Sequence, residues 1–592
     1  MKKLFVISAL LFLTGCSSSV SFYDTYKTSK YDTEKYVYSD ELSPEVYASF
    51  FDTAKIYDIE DMRGGIIPRD ITAGNMIASF FATLRKLDPS MIVFVSATTT
   101  TSTDAQLFSY IKHYETVDAK MISHEPLIKT LRDKSLIHVI EDDSAIYPFV
   151  PFFAHYVPHK MVLPLLIPMD ISVEQMDILI TELRELLPDD SAIIMTMNAS
   201  QNLPYYVANF HDELNMHILS TMDMTRINDM EIDNPYALQF TMKLLQTFHA
   251  EHTVQLEHEN SAVLDDTMVS PTSTGYITAY IARGVANRTR MASMLNVGDI
   301  MLDRNVAQKI AVFGTDYILE KLAGSELRFF HGVDIVAGNL EGPFANYRRD
   351  TTKSIAFRFD PALLSMLKKY NFSLFTLANN HTLDMSRQSF AESKAHLAKA
   401  GFDYYGDQFN LTNESLLTKE IGAMKFAYIG INDTHDSVTI DDMVALVQSA
   451  ENNHDHTIVN IHWGQEYAEL RSNARQQNIA HRLIDAGADL IIGHHPHVIQ
   501  EMEIYNNRPI FYSLGNFVFD QYFSTPTQQT LAVGTVFHDT DSISLYIIPI
   551  ESQNSQNKHM DYETAKNLMQ RFESASRLGN YTIQDNHITI NF

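Results

Sequence analysis

Residues 483–500 read LIDAGADLIIGHHPHVIQ. The opening residues close a helical pattern over 473–486, and 489–492 is a short apolar run of the kind a buried strand makes. That run passes directly into Gly493-His494-His495-Pro496-His497. The same arrangement recurs along the second half of the chain. The run 291–297 leads into Gly298-Asp299, and 333–337 into Gly338-Asn339-Leu340-Glu341. The run 372–377 leads into Ala378-Asn379-Asn380-His381, and 457–461 into His462-Trp463-Gly464. The run 509–514 leads into Gly515-Asn516, and 424–431 is a further strand candidate. Helical patterns at 386–400, 441–452 and 473–486 separate several of these runs, which predicts mostly parallel sheets covered by helices. In open α/β sheets the carboxyl ends of the strands converge on one crevice. Asp299, Glu341, Asn380, His381, His462, His495 and His497 are therefore expected to face one site.

Imidazole, carboxylate and amide oxygen together are the ligand chemistry of Zn, Mn or Fe. The chain has one cysteine, Cys16, so no intrachain disulfide and no thiolate metal site is possible. Any single one of its 24 histidines reads most simply as a core or surface residue. Three at strand ends, beside Asp, Glu and Asn at other strand ends, read as a metal centre. The sole tryptophan, Trp463, is equally a core residue or a pocket wall.

The 592 residues are 45% apolar and 20% charged, which excludes a wholly disordered, collagen-like or coiled-coil chain. A net charge of −28 argues against general nucleic-acid binding and against a basic face on anionic lipid. Residues 1–15 pair Lys2 and Lys3 with an apolar run of ten residues, too short to span a bilayer and right for a secretory leader. The leader ends in Leu13-Thr14-Gly15-Cys16, which resembles a bacterial lipobox and implies lipidation of Cys16. Residues 16–44 then read as a tether. Ser17 after the cysteine resembles outer-membrane sorting in a cell with two membranes, so the body is expected outside the cytoplasm.

Two α/β regions follow, 45–285 and 291–551, and residues 552–592 form a polar tail in which only a helix near 562–577 can be placed. In the first region, 91–96, 160–167 and 192–197 are strand candidates, and 73–86 and 172–187 are helix candidates.

The segments GDIMLDR (298–304), NLEGP (339–343), ANNHTLD (378–384), HWGQEY (462–467) and YSLGNFVFD (512–520), with the stretch quoted first, resemble the CapA-type bacterial capsule-synthesis proteins. That resemblance covers about 291–550. It implies poly-γ-glutamate production, a four-layer α/β/β/α sandwich of the metallophosphoesterase type, and one or two divalent ions (Mn, Fe or Zn). By resemblance Asp299, Glu341, Asn380, His462, His495 and His497 line the metal site, His381 is the candidate acid/base or supporting residue beside it, and Asp299 and His381 are the catalytic pair. Phosphoesterases with two metals begin with Asp-x-His, where this chain has Asp299-Ile300-Met301, and continue with Gly-Asp, where it has Gly338-Asn339. One imidazole is missing and one carboxylate has moved, so a single metal is as good a reading as a pair.

The first region resembles the Memo-like proteins (AmmeMemoRadiSam system protein B), whose fold is related to the extradiol dioxygenases. The resemblance is carried by 64–84, 92–104, 141–156, 162–168 and 193–213. Each imidazole expected of that family is replaced here: by Pro68-Arg69-Asp70, by a Thr/Ser run after residue 97, and by Asn198-Ala199-Ser200-Gln201. His211 and Asp212 keep their place and read as helix-surface residues. This half reads as a scaffold or binding domain without catalysis.

Arg304, Arg348, Arg349, Lys353 and Arg358 are the candidate anion-holding cations, although the basic stretch 346–358 reads equally as a solvated loop. Three functions remain open. The chain is a lipid-anchored metal-dependent hydrolase acting on an anionic envelope polymer or phosphoester, a non-catalytic component of polymer export or capsule assembly, or a surface adhesin.

Overall fold

The computed structural model describes residues 23–27, 32–36, 42–98, 107–115, 120–267, 270–539 and 541–592. The leader, Cys16 and most of the Thr/Ser run lie outside the described residues. No helix among the described residues is long and apolar enough to cross a membrane.

The chain divides into two compact units, one of residues 1–201 and 215–288, the other of 202–214 and 289–592. The first unit is built on a parallel core of Met161–Pro168, Met91–Thr98, Ala192–Met197 and Met62–Pro68, in that order across the sheet. Ser273–Ala282 adds an antiparallel strand beside Met62–Pro68. The expected helices form at Gly74–Leu84 and Val173–Leu186, and the second opens with a capping box in which Ser172 and Gln175 exchange hydrogen bonds.

In the second unit the strands are β1 Met291–Ile300, β2 Ile335–Leu340, β3 Phe372–Thr376, β4 Asp403–Tyr405, β5 Leu416–Ile421, β6 Met424–Asn432, β7 His456–His462, β8 Leu490–His494, β9 Met502–Tyr505, β10 Arg508–Phe511, β11 Asn516–Val518, β12 Gln529–His538, β13 Ser542–Gln553, β14 Gln556–His559 and β15 His587–Asn591. One sheet has the order β4-β3-β2-β1-β12-β13-β14, with β11 beside β1 and β15 beside β13. The other has the order β5-β6-β7-β8-β10-β9. The strands β1 to β4, and β6, β7, β8 and β10, run parallel.

Strand alternation explains how the sheets stack. Met294, Ile335 and Leu374 of the first sheet and Phe426, Ile458, Leu490 and Phe511 of the second share one buried core. The opposite face of the second sheet, with Ile429, Val459, Ile461 and Ile491, packs on Met443 and Val447 of α4 (Ile440–Glu451) and on Ile479 and Leu483 of α5 (Ala474–Asp485). On the far side of the first sheet, α2 (Leu364–Lys369) and α3 (Arg387–Lys399) lie against β3 and β4. The unit, which also has α1 at Arg304–Phe313, is an α/β/β/α sandwich.

Two sequence expectations change. The last forty residues are not a tail. Helix α6 (Tyr562–Ala575) forms as expected, but β14 and β15 add to the first sheet, and Leu568, Phe572, Ile588 and Ile590 enter the inter-sheet core. The few apolar side chains in this polar stretch all point inward, so composition hid the strands. His211 and Asp212 are not surface residues: both are fully buried, and burial pushes the His211 imidazole down to about 3.

Candidate metal centre

The strand ends meet at one level. Asp299 of β1 is in register with Asn339 of β2 and with Asn516 of β11, and His462 of β7 is in register with His494 of β8. Asp299 is fully buried. Its Oδ1 accepts from Asn339 Nδ2 at 2.8 Å, and its Oδ2 accepts from the His495 backbone N–H at 3.3 Å. His494 Nδ1 and His497 Nδ1 stand 3.3 and 3.4 Å from its oxygens. Glu341, directly after β2, is fully buried and lies 3.7 Å from His497 Nε2 and 3.8 Å from His381 Nε2. Asn380 Oδ1 meets His462 Nε2 at 2.9 Å, and His462 and His495 rings are 4.7 Å apart. His497 Nδ1 meets Asn516 Oδ1 at 2.9 Å. All seven strand-end residues singled out in the sequence therefore lie in one cluster.

His381 is held from the other side. Its Nδ1 lies 2.7 Å from Asp384 Oδ2, which also accepts the Phe357 N–H at 2.7 Å. Lys353 Nζ donates to Asp384 Oδ1 at 2.6 Å and to the Asn380 carbonyl at 2.7 Å. Trp463 is a core residue. It is fully buried, stacks on Tyr512 and donates its indole N–H to the Tyr512 carbonyl at 2.9 Å, which fixes the end of β7.

Burial acts to raise the Asp299 carboxyl, but hydrogen bonds from His494 and His497 outweigh it and hold Asp299 well below the usual carboxylate range. Burial, helped by the Asp299, Glu466 and Asp384 carboxylates and opposed by His497, lifts Glu341 well above that range. Burial drives His462 well down and His495 to about 3. Burial would lower His497 too, yet the Glu341 and Asp299 carboxylates raise it to about 9. His495 and His497 also hold left-handed backbone, with φ of 97° and 60°. Such conformations cost about 1–3 kcal/mol each and gather at functional sites.

The donor set fits a divalent ion. Both Glu341 oxygens and His495 Nδ1 are buried with no hydrogen-bond partner. Among the described residues neither Asp299 nor Glu341 has a Lys or Arg within ion-pair distance. Buried charge left in this state is costly unless a cation completes it. In each of two groups the ligand atoms lie within 4.8 Å of one another: Asp299, Glu341 and His462, all buried, and Glu466, His495 and His497, of which Glu466 is exposed.

Sequence reasoning missed Glu466, His494 and Asp384, although each stands inside a quoted motif, Asp384 three residues after the histidine it holds. The five candidate anion-holding cations are engaged in ion pairs. Arg304 pairs with Asp520, Arg348 with Asp303, Arg349 with Glu392 at 3.6 Å and Arg358 with Asp360 at 3.7 Å. With Lys353 on Asp384, each of the five is already matched by a carboxylate.

The second unit is an α/β/β/α sandwich with a polar centre of metal-ligand type at the carboxyl ends of its strands. The family described as bacterial capsule synthesis protein PGA_cap matches residues 293–521. Over 302 residues the chain is 30% identical to the capsule biosynthesis protein CapA of Bacillus anthracis, covering 47% of this chain and 72% of that one. Over 243 residues it is 34% identical to the PGA biosynthesis protein CapA of Bacillus subtilis (strain 168), covering 38% of this chain and 62% of that one. A solved phosphatase of Mycoplasma pneumoniae aligns at 12% identity with a TM-score of 0.29, over 47% of this chain and 98% of its own. The chain belongs to the bacterial capsule synthesis (CapA) family.

Proposed function

We propose that this protein serves poly-γ-glutamate capsule synthesis in the cell envelope, and that its second unit is a divalent-metal centre (Mn, Fe or Zn) acting on an anionic polymer or phosphoester. The observation that carries this reading is the pair of buried carboxylates, Asp299 and Glu341, set among imidazoles, with no Lys or Arg among the described residues in ion-pair distance of either. Asp299, Glu341, Asn380, His462, His495 and His497 are the residues that would hold the ion. A bound divalent ion supplies Lewis-acid polarisation of a substrate oxygen and a water acidic enough to attack near neutral pH. The chain supplies the proton. Asp384 takes the Nδ1 proton of His381 in a hydrogen bond, which leaves Nε2 facing Glu341 to carry a proton to a leaving oxygen.

The full chain loaded with Mn²⁺ is expected to cleave a phosphodiester such as bis-p-nitrophenyl phosphate, or poly-γ-glutamate. His381→Asn should lower kcat by about 10²–10⁴-fold with metal content unchanged. Asp384→Asn should lower kcat less and shift its pH profile. Metal uptake without turnover on either substrate would sink the hydrolase reading and leave a non-catalytic polymer-binding or assembly component. The first unit, as a Memo-like scaffold, is assigned no chemistry.

Lipidation at Cys16 would tether the chain to the membrane, at the outer membrane where there are two. Cys16→Ala is expected to move the protein from the membrane pellet to the soluble fraction; unchanged pelleting rejects the anchor.

A further inference from the structure

A groove of about 670 Å³ opens where the loop after His462 meets helix α6. It is lined by Leu470, Asn567, Gln570, Arg571, Ser574 and Ala575. The helix supplies all of these but Leu470. Asn567, Gln570, Arg571 and Ser574 are spaced i, i+3, i+4, i+7 and so share one face, while Met569 and Phe572 on the opposite face enter the inter-sheet core. Asn567 and Gln570 are exposed, and among the described residues neither side-chain amide has a hydrogen-bond partner. The lining holds one cation and no carboxylate. Arg571 pairs with Glu469 at the surface. Such a contact is worth little, so the guanidinium is free to take a further carboxylate.

The stretch 467–470 joins this groove to the metal centre. Tyr467 N–H donates to the Pro496 carbonyl and Leu470 N–H to the Ile499 carbonyl, each at 2.8 Å. Gln500 Nε2 donates to the Ala468 and Arg471 carbonyls, each at 2.9 Å. Tyr467 and Leu470 both hold left-handed backbone, with φ of 65° and 50°, a state that persists only where surrounding contacts impose it. The Tyr467 ring is 46% exposed and lies 6.3 Å from the His497 ring. It stands edge-on at 5.3 Å from Phe523, itself 68% exposed, and its hydroxyl accepts from Gln521 Nε2 at 3.2 Å. An exposed aromatic pair therefore stands beside the centre, at the start of a stapled loop that ends in the groove.

Charge and shape select the occupant. A chain of net charge −28 repels a polyanion over most of its surface, and here no lining carboxylate adds to that repulsion. The unpartnered amides match the peptide groups of a polyamide, and Arg571 matches a carboxylate. The exposed ring faces pack on methylenes and amide planes. We propose that the groove, with Tyr467 and Phe523, binds the non-reacting part of an extended γ-glutamyl chain whose reacting part sits at the metal centre. This rests on the polymer reading above and selects the polymer over a small phosphoester. Binding energy gathered along the groove serves to position the reacting bond.

The test is calorimetric titration of a γ-glutamyl dimer and a γ-glutamyl octamer into the Mn²⁺-loaded full chain, with His381→Asn present throughout to slow turnover. The octamer is expected to bind at least about tenfold more tightly than the dimer. Gln570→Glu should weaken octamer binding about threefold and Gln570→Lys should tighten it about threefold, with dimer affinity unchanged in both. Opposite signs at one exposed position do not arise from misfolding, and equal urea midpoints verify this. Tyr467→Ala should weaken the octamer about fivefold, and Tyr467→Phe should recover most of that loss. Octamer affinity that is the same in Gln570→Glu, Gln570→Lys and the parent chain overturns the proposal, as does equal affinity for dimer and octamer. An α-linked glutamyl octamer or a polyphosphate that binds as tightly and responds alike to the two Gln570 variants overturns the γ-glutamyl assignment. No binding of either γ-glutamyl ligand by the parent chain removes the polymer reading itself, and this inference with it.

Discussion

Asp299→Asn should abolish stoichiometric metal uptake and lower any turnover by more than about 100-fold, because it removes the one carboxylate touched by Asn339, His494, His495 and His497 together. The same substitution reports on the metal-free chain. The raised pKa of His497, about 9 against about 6.5 unfolded, means that its pairing stabilises the fold fully below pH 6.5 and is lost as pH rises through 9. Asp299, held low, contributes above its unfolded value near pH 3.9 and loses that contribution as pH falls. The stripped variant should therefore be less stable than stripped wild type by up to about 3 kcal/mol between roughly pH 5 and 8, and the gap should narrow above pH 9, where the His497 part is lost, and at low pH. Urea unfolding at pH 6 and at pH 10 measures it. An equal gap at both values would rule out the Asp299–His497 pairing as its source, and full metal content in the variant would remove Asp299 from the ligand set.

Gly493→Ala should be the most damaging single-methyl change at the centre. A Cβ at that position would stand 2.0 Å from the Tyr512 carbonyl oxygen and 2.6 Å from Trp463 Nε1, which already donates to that carbonyl. Neither partner can yield: one is backbone of the neighbouring segment of the same chain, the other a buried indole. The strand must shift, and His494, His495 and His497 move with it. Overpacking of this kind costs about 3 kcal/mol or more when backbone is the obstacle. The expected result is a lowered urea midpoint together with lost Mn²⁺ binding. A variant with the wild-type midpoint and metal content would show that β8 has room the structure does not give it.

Much of the second unit is legible in its residues. The runs that precede Asp299, Glu341, His462 and His494 are strands within a few residues of where hydrophobicity puts them, since a strand buried on both faces must be apolar throughout. The helices at 386–400, 441–452 and 473–486 are also where their periodicity places them, and the structure caps them with Ser386, Thr439 and Asn473. β14 and β15 were not legible, because each lies in a polar stretch: β14 closes a tight hairpin on the end of β13 through Asn554 and Ser555, and β15 pairs with residues of β13 about forty to fifty positions earlier. The pairing of Arg304 with Asp520 was equally hidden, since the two are 216 positions apart in sequence.

The sequence by itself determined which residue types could bind metal and that they end their strands, because donor chemistry and strand hydrophobicity are local properties. Tertiary structure alone decided which donors meet. Register sets Asp299 level with Asn339 and Asn516, and His462 level with His494, while the left-handed turn at His495 and His497 and the backbone lacing of 463–467 bring an exposed Glu466 beside buried imidazoles. These are contacts between segments up to about two hundred residues apart, and no local pattern encodes the distance between them.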